Sequence, residues 1–320
     1  MDSRRDISGG GVVQQGKEET RPIMPMVYSR NGATLLGGAA ILLWSTSVAL
    51  MRDISETLGA AGGAAMLYSV STVFLLLLLG WPKLRGCSRG YLCWGGLLFV
   101  VYEICLALSL GYASDRSQAI ELGMINYLWP CLTVMLAIVM NGQRAGPAVY
   151  AGLFLSLFGI GWLMCGDGTW TPRHMLHNIR QNPLSYTLAF SGAIVWALYC
   201  NVTRKYAGGK NGVAMFFLAT SLLLWLKYGL SQDATMLFTS RIILQLLVTG
   251  AIMGTAYAAW NIGIIQGNMT LLATASYFTP VLSAAFASLW LGVALTPAFW
   301  QGVVMVCAGS LICWWFTRRA

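Results

Sequence analysis

The side chains of this chain that could do chemistry lie inside long apolar segments. Glu103 stands near the centre of one such segment, in the stretch Val101–Ala107. An ionisable group at that depth of a bilayer costs several kcal/mol if it is unpaired, and it commonly marks a substrate pathway or a proton relay. A hydrogen-bonded structural carboxyl is the alternative. We read no nucleophile–base pair, metal cluster or nucleotide-binding motif in the chain, so we expect no catalytic residue, no cofactor and no metal.

Aromatic and amide side chains form a second group of candidates for ligand contact. They lie well inside the apolar segments, where contacts between rings contribute ~0.5–1.5 kcal/mol each beyond burial and where rings can also hold an ammonium group. Core packing is the alternative for each ring taken singly. A cavity lined by such groups suits a flat, amphipathic solute. Together with Glu103, the expected substrate-binding residues are Trp44, Tyr102, Asn126, Tyr127, Trp129, Trp196, Tyr257, Asn261 and Tyr277.

Two of the apolar segments carry a proline three residues after a tyrosine, in Tyr127–Pro130 and in Tyr277–Pro280. Proline removes one backbone hydrogen bond from a helix and leaves the carbonyl four residues earlier without its donor. Within a bilayer that carbonyl must face protein or a water-filled cavity. We therefore expect two bent helices whose prolines, Pro130 and Pro280, act in gating.

The composition assigns the chain to a membrane. Hydrophobic residues make up 57% of it and charged residues 10%, whereas soluble domains contain about 25% charged residues. The formal net charge of +9 fits basic loops that face an anionic lipid leaflet. We expect the lipid bilayer as a partner and no nucleic acid; the oligomeric state stays open.

A spanning helix needs about 20 predominantly apolar residues, and ten segments meet this requirement. They are 33–51, 62–80, 92–112, 118–139, 147–165, 184–203, 212–228, 242–265, 270–291 and 298–316. Residues 1–32 are mixed and polar, which predicts a disordered tail. Arginine and lysine are more frequent on the side that carries both termini, so both termini are expected in the cytoplasm.

The second half of the chain repeats the first. At a spacing of 150 residues the matches include Tyr127/Tyr277, Pro130/Pro280, Gly152/Gly302 and Gly159/Gly309, and at 152 Trp44 matches Trp196. Because each copy holds five spans, an odd number, the second copy enters the membrane from the opposite side. Such inverted repeats place the binding site near the midplane between the copies.

The predicted fold is therefore an all-α integral membrane protein with ten transmembrane helices, arranged as two inverted five-helix repeats around a central cavity. The predicted divisions are a cytoplasmic tail at 1–32, the first repeat at 33–165, a linker loop at 166–183 and the inverted second repeat at 184–320.

Several stretches of the chain resemble the drug/metabolite transporter superfamily of the EamA-repeat type, and within it the bacterial aromatic amino acid exporters. The stretches are Trp44–Ser47, Val101–Ala113, Asn126–Pro130, Ala256–Asn261 and Ser276–Pro280. The resemblance covers about residues 33–319. It implies ten helices in two inverted halves, a multi-pass protein of the bacterial inner membrane, and export of aromatic and other neutral amino acids.

On this hypothesis the chain is a secondary transporter that works by alternating access. Asn126 and Asn261 hold the polar end of the solute, and Glu103 pairs with its ammonium group or relays a proton. An exchanger of nucleotide sugars or sugar phosphates is an alternative, but it would need embedded lysine or arginine for the phosphate. A membrane-embedded enzyme is a further alternative, for which the usual catalytic groups are missing from the sequence.

Overall fold

The structure is a computed structural model that describes residues 28–82, 86–141, 146–165, 172–207, 212–231 and 236–317. Every regular element in these ranges is helical. The helices are α1 (Arg30–Ser45), α2 (Ser47–Leu58), α3 (Ala60–Leu79), α4 (Gly96–Gly111), α5 (Arg116–Asn126), α6 (Trp129–Asn141), α7 (Pro147–Leu163), α8 (Pro172–Gln181), α9 (Pro183–Tyr206), α10 (Val213–Leu230), α11 (Ser240–Gln266), α12 (Met269–Ser276), α13 (Thr279–Leu291) and α14 (Pro297–Thr317). A π-helical turn, Tyr91–Gly95, leads into α4.

Eight helical segments among the described residues are long and apolar enough to cross a membrane. Two further apolar helices are shorter, since α7 has 17 residues and α13 has 13. Each of these two lies within a predicted span, and α13 follows α12 after two residues. Eight spans are thus supported by length and composition, and the full count of ten stays a prediction.

The first span is longer than predicted. The side chain of Ser29 accepts a hydrogen bond from the backbone N–H of Gly32 and begins α1 at residue 30. After a short interruption at Thr46 the chain continues helically to Leu58. It then turns at Gly59, whose φ of 80° lies in the left-handed region that favours glycine. We call the side of the molecule that carries this turn the Gly59 end.

The prediction of a linker loop at 166–183 is partly wrong, because residues 172–181 form the helix α8. Proline at the first position of a helix fits without losing a hydrogen bond, and Pro172 stands there. Ile179 packs against the buried core, whereas Leu176, three residues earlier, is exposed. The next helix begins at once, since the side chain of Asn182 accepts from the N–H of Ser185. Residues 166–171, like the predicted tail up to residue 27, lie outside the described residues.

Both predicted helix interruptions are present, and they occupy equivalent positions. Helix α5 ends at Asn126 and α6 begins at Trp129; 150 residues later, α12 ends at Ser276 and α13 begins at Thr279. The carbonyl of Ser276, which Pro280 deprives of its donor, accepts a hydrogen bond of 2.6 Å from the Thr279 hydroxyl. Trp129 stands in the matching position of the first copy and has no hydroxyl. The interruptions are confirmed, whereas the gating role of the prolines stays a prediction.

Helices α7 and α14 cross in backbone contact at four glycines that match between the copies. A Cβ atom on Gly152 would lie 2.7 Å from the Gly309 carbonyl oxygen, and one on Gly159 would lie 2.8 Å from that of Gly302. The lower-numbered glycine of α7 thus meets the higher-numbered glycine of α14. The two helices are therefore antiparallel, and the absence of side chains lets their backbones touch.

The remaining long helices also pair across the two halves of the chain. Helix α1 packs against α11, α4 against α9, and α3 against both α10 and α11. Between α3 and α10, the hydroxyl groups of Ser69 and Ser221 are 2.7 Å apart, and the indole N–H of Trp225 donates to Ser69 at 2.9 Å. These pairings surround the space in which the candidate site lies.

Candidate functional site

A cavity of about 270 Å³ lies between helices of the first and second halves. This volume is near the lower end of the roughly 300–1,000 Å³ that is usual for small-molecule sites. The cavity is lined by all but one of the predicted site residues, namely Trp44, Tyr102, Glu103, Asn126, Tyr127, Trp129, Pro130, Trp196, Tyr257, Tyr277 and Pro280. The remaining one, Asn261, lies in α11, but its side chain is outside what the structure describes. Lining the cavity is observed; contact with a substrate stays a prediction.

Helical spacing explains why these residues share one cavity. Residues four and seven apart lie on one face of a helix, and Met253, Tyr257 and Trp260 of α11 follow this spacing. Several lining residues that were not predicted follow the same rule from a predicted neighbour, such as Cys200, four residues after Trp196. The missed lining residues are Ser47, Val48, Leu106, Cys200, Met253, Trp260, Ser276, Thr279 and Ser310.

Two tryptophan–tyrosine pairs form part of the cavity wall. Trp44 contacts Tyr257 edge-on, with ring centroids 5.1 Å apart, and Trp196 contacts Tyr102 at 4.3 Å with an interplanar angle of 35°. Each pair joins the first helix of one half to the third span of the other half. The sequence match between Trp44 and Trp196 therefore corresponds to matching positions in space.

Trp196 is the centre of the larger aromatic group. Besides Tyr102, its ring contacts Tyr199 at 4.8 Å, Phe99 at 5.9 Å and Trp129 at 6.4 Å. Tyr199 and Phe99 are buried behind it, whereas Trp129 and Trp196 are only partly buried. A planar ring that enters the cavity would meet an aromatic surface held in place by a second layer of rings.

Glu103 is the acidic group of the site, and two tyrosines hold it. The hydroxyl of Tyr68 donates to Oε2 at 2.5 Å, and that of Tyr257 donates to Oε1 at 2.7 Å. Within the described residues no lysine, arginine or histidine lies within 4.0 Å of this carboxylate. Tyr68 was not among the predicted site residues, and it lies 35 residues before Glu103 on a different helix.

Some polar atoms at the cavity have no hydrogen-bond partner among the described residues. The amide nitrogen of Asn126 donates to the Tyr102 hydroxyl at 3.3 Å, which leaves its Oδ1 unpartnered. The indole Nε1 of Trp44 and the hydroxyl of Ser310 are unpartnered as well. Because buried polar groups in native proteins nearly always have partners, these atoms are suited to bind a ligand or water. They offer one acceptor, one donor and one group that can act as either.

A polar cluster, formed by Asp53, Glu56, Arg116, Gln245 and Trp290, joins the two halves at the Gly59 end. Arg116 is 2.7 Å from Glu56 in an ion pair and also donates to the carbonyl of Leu291 at 3.1 Å. Asp53 accepts from Gln245 at 2.5 Å and from the Trp290 indole at 3.2 Å. We call this group the Gly59-end cluster.

Arg52 is buried and donates a hydrogen bond to Glu56 of the Gly59-end cluster. It lies four residues, about 6 Å along a helix, beyond the cavity-lining Val48. The predicted first span ends at residue 51, but α2 continues through Arg52, whose side chain is buried. Its guanidinium donates to Glu56 and to the carbonyls of Leu110 and Ala113. The cluster thus links several helices of both halves at the Gly59 end.

Known proteins with similar sequences are transporters. The model of the EamA-like transporter family matches residues 183–315. The chain is 51% identical over 291 residues to the aromatic amino acid exporter YddG of Escherichia coli strain K12, which covers 91% of this chain and 99% of that protein. It is 52% identical over 287 residues to the protein of the same name from Salmonella typhimurium strain 14028s, covering 90% of this chain and 98% of that one.

A more distant relative and a solved structure agree with these matches. The aromatic amino acid exporter YddG of Ancylobacter novellus is 29% identical over 271 residues, covering 80% of this chain and 87% of that protein. A crystal structure that is 26% identical in sequence aligns with a TM-score of 0.62, covering 91% of this chain and 99% of the other. With its long apolar helices, the chain is a multi-pass membrane protein. It belongs to the EamA-like transporter family.

Proposed function

We propose that this protein exports aromatic amino acids, and other neutral amino acids, across the bacterial inner membrane through the central cavity. The observation that carries the proposal is the aromatic lining contributed by both halves, in the pair of Trp196 and Tyr102 and the pair of Trp44 and Tyr257. Its nearly full-length relatives, at 51% and 52% identity, are named aromatic amino acid exporters. A substrate ring would bind against these side chains, and its polar end would bind at Glu103.

The cavity chemistry favours this substrate class over phosphorylated ones. A phosphate group is usually held by arginine or lysine, and the described residues that line the cavity include neither. One neutral amide, several hydroxyls and one carboxylate lie there instead. An exchanger of sugar phosphates or nucleotide sugars therefore has less support. A membrane-embedded enzyme has less support too, since the named relatives are exporters.

The proposed architecture is ten spans in two inverted repeats, 33–165 and 184–320. Three observations support it: α7 and α14, which are equivalent by sequence, are antiparallel; the helix interruptions lie 150 residues apart; and the two tryptophan–tyrosine pairs occupy matching places. In this architecture both termini are cytoplasmic and the Gly59 end faces the periplasm. Bending at Pro130 and Pro280 would open the two ends of the cavity alternately.

Loss of facilitated flux in Tyr127→Ala tests the proposed function. Tyr127 lines the cavity at the helix interruption and is 8% exposed. Truncation to alanine removes the ring that would contact the solute at the proposed hinge. We expect counterflow of radiolabelled phenylalanine into liposomes to fall to the level of protein-free liposomes. Tyr150→Ala, at a residue that is 57% exposed on α7, is the matched control and should transport normally.

Either of two results would contradict the assignment. Unchanged flux in folded Tyr127→Ala would remove this tyrosine from the site. Recovery of chemically altered solute from wild-type liposomes would point to an enzyme instead of a transporter.

Opening of the Gly59 end is tested by Arg116→Gln. This change removes the ion pair with Glu56, worth about 1 kcal/mol once the exposure of Arg116 is discounted, which corresponds to a factor of about five in the closed-to-open equilibrium. In a protein that lacks its eight native cysteines and carries Val48→Cys, a membrane-impermeant maleimide should label residue 48 about five times faster when Arg116→Gln is added. Arg241→Gln, on α11, is the control. An equal labelling rate in both variants would show that the cluster does not close this end.

A further inference from the structure

The hydroxyl groups of Tyr68 and Tyr257 both donate to Glu103, and we call this pair of contacts the clamp. Its two hydrogen bonds, 2.5 and 2.7 Å, are as short as charge-assisted bonds from a hydroxyl to a carboxylate, about 2.5–2.7 Å. Each carboxylate oxygen receives one tyrosine hydroxyl. An ionised carboxylate has about four acceptor positions, so two remain, and Glu103 lines the cavity. Both oxygens of Glu103 thus accept a tyrosine hydroxyl, and acceptor positions remain for a donor from the cavity.

Tyr68 contributes to this clamp without lining the cavity. It is 0% exposed on α3, and its ring packs against Phe217 at 5.4 Å. Phe217 in turn contacts Tyr257, the second member of the clamp, at 4.9 Å. The two hydroxyls are thus held by one packed aromatic group, made of side chains from both halves of the chain. Such packing fixes the direction from which Glu103 can be approached.

A buried carboxylate without a cation is destabilised unless something compensates its charge. Hydrogen bonds from Tyr68 and Tyr257 compensate it in part, and no cationic side chain does so within the described ranges. The Tyr68 hydroxyl shows no second hydrogen-bond partner in the described structure, so no chain of hydrogen bonds leads onward from Glu103 through Tyr68. A cation that arrives with the substrate would compensate the rest of the charge.

We infer that Tyr68 is a positioning residue that keeps Glu103 ionised and directed at the cavity, so that the site selects aromatic solutes carrying an ammonium group. The inference rests on the proposed function and deepens it. Glu103 contacts the ammonium group, and Tyr68 acts only through Glu103. Binding of an aromatic solute then depends on its positive charge more than on its carboxylate. An aromatic amine should therefore bind well, and an aromatic carboxylic acid poorly.

The test is competition against radiolabelled phenylalanine counterflow in liposomes that contain the full-length protein. The competitors are phenethylamine, which lacks the carboxylate, and 3-phenylpropionate, which lacks the ammonium group. For the wild type we expect phenethylamine to compete at least about tenfold better. Tyr68→Phe removes one charge-assisted hydrogen bond, which should reduce this preference about tenfold and raise KM for phenylalanine more than it lowers the maximal rate.

Tyr186→Phe provides a matched control. The Tyr186 hydroxyl donates to Glu121 at 2.9 Å, so the same chemistry is removed from a tyrosine–glutamate pair that does not line the cavity. This variant should keep the wild-type preference. Glu103→Gln should lose the preference even if Tyr68→Phe does not fold, and elution of each variant as a single species in size-exclusion chromatography establishes folding.

Each of the following outcomes would overturn one part of the inference. An unchanged preference for the amine in folded Tyr68→Phe overturns the positioning role, as does an equal loss in Tyr186→Phe. Equal competition by the two analogues in the wild type overturns the ammonium selection. If the wild type shows no phenylalanine counterflow at all, the proposed function fails and the inference fails with it.

Discussion

Trp196→Ala is expected to lower the kcat/KM for aromatic amino acid transport about 100-fold while the protein remains folded. Trp196 touches Phe99, Tyr102, Trp129 and Tyr199. Central tryptophans of binding sites commonly contribute 2 kcal/mol or more when they are truncated, and about 2.7 kcal/mol corresponds to 100-fold. Because one side of the ring faces an existing cavity, truncation enlarges that cavity instead of creating a new void in packed protein.

Initial rates of counterflow over a range of phenylalanine concentrations measure this effect. The loss should appear mainly in KM, because the ring contacts are made to the bound solute. Trp94→Ala is the control, since Trp94 is 60% exposed outside the cavity. Equal kinetics in the two variants would show that the aromatic wall around Trp196 packs the protein and does not bind substrate.

The largest effect on stability is expected from Gly159→Leu, at the crossing of α7 and α14. A Cβ atom there would lie 2.8 Å from the Gly302 carbonyl oxygen and 3.1 Å from the backbone nitrogen of Val306. Backbone atoms of a helix cannot rotate aside as a side chain can, so the two helices must separate. We expect destabilisation by about 3 kcal/mol or more, at the upper end of measured overpacking effects.

Thermal unfolding in detergent, followed by the loss of the monodisperse peak, measures this destabilisation. Gly38→Leu is the matched control, because a Cβ atom at Gly38 of α1 has no heavy atom within 4 Å. Its Tm should stay close to that of the wild type, whereas Gly159→Leu should melt many degrees lower or fail to accumulate. Equal Tm values for the two variants would show that the crossing tolerates separation and does not hold the halves together.

The helices and their interruptions were predictable because their causes are local. Apolar runs of sufficient length predict spans, and Pro130 and Pro280 predict breaks; the structure has helices in all ten segments, with breaks just before both prolines. The end of the first span was less predictable, since the polar residues Arg52, Asp53 and Glu56 suggested a loop. Arg52 and Glu56 instead pair with each other on the same helix, and Asp53 and Glu56 are also bound by Gln245 and Arg116 from other helices.

The composition of the cavity was largely predictable for a related reason. Aromatic and amide residues placed deep in apolar helices face protein or lipid, and the repeat identified which of them occur twice, as Trp44 and Trp196 do. The small and hydroxyl-bearing lining residues, such as Ser47 and Ser310, were missed because such residues also occur at ordinary helix contacts. Nothing in their local sequence distinguishes a residue that lines the cavity from one at an ordinary helix contact.

The amino-acid sequence by itself determined that this chain is a membrane protein of apolar helices, that its halves are related, and which rings could meet. Composition, helical periodicity and the spacing of matching residues depend only on neighbours along the chain. The tertiary structure alone decided that Tyr68 clamps Glu103, and that Arg116 ties Glu56 to the carbonyl of Leu291. These contacts join residues 35 to 175 positions apart, and their formation depends on how whole helices pack in three dimensions.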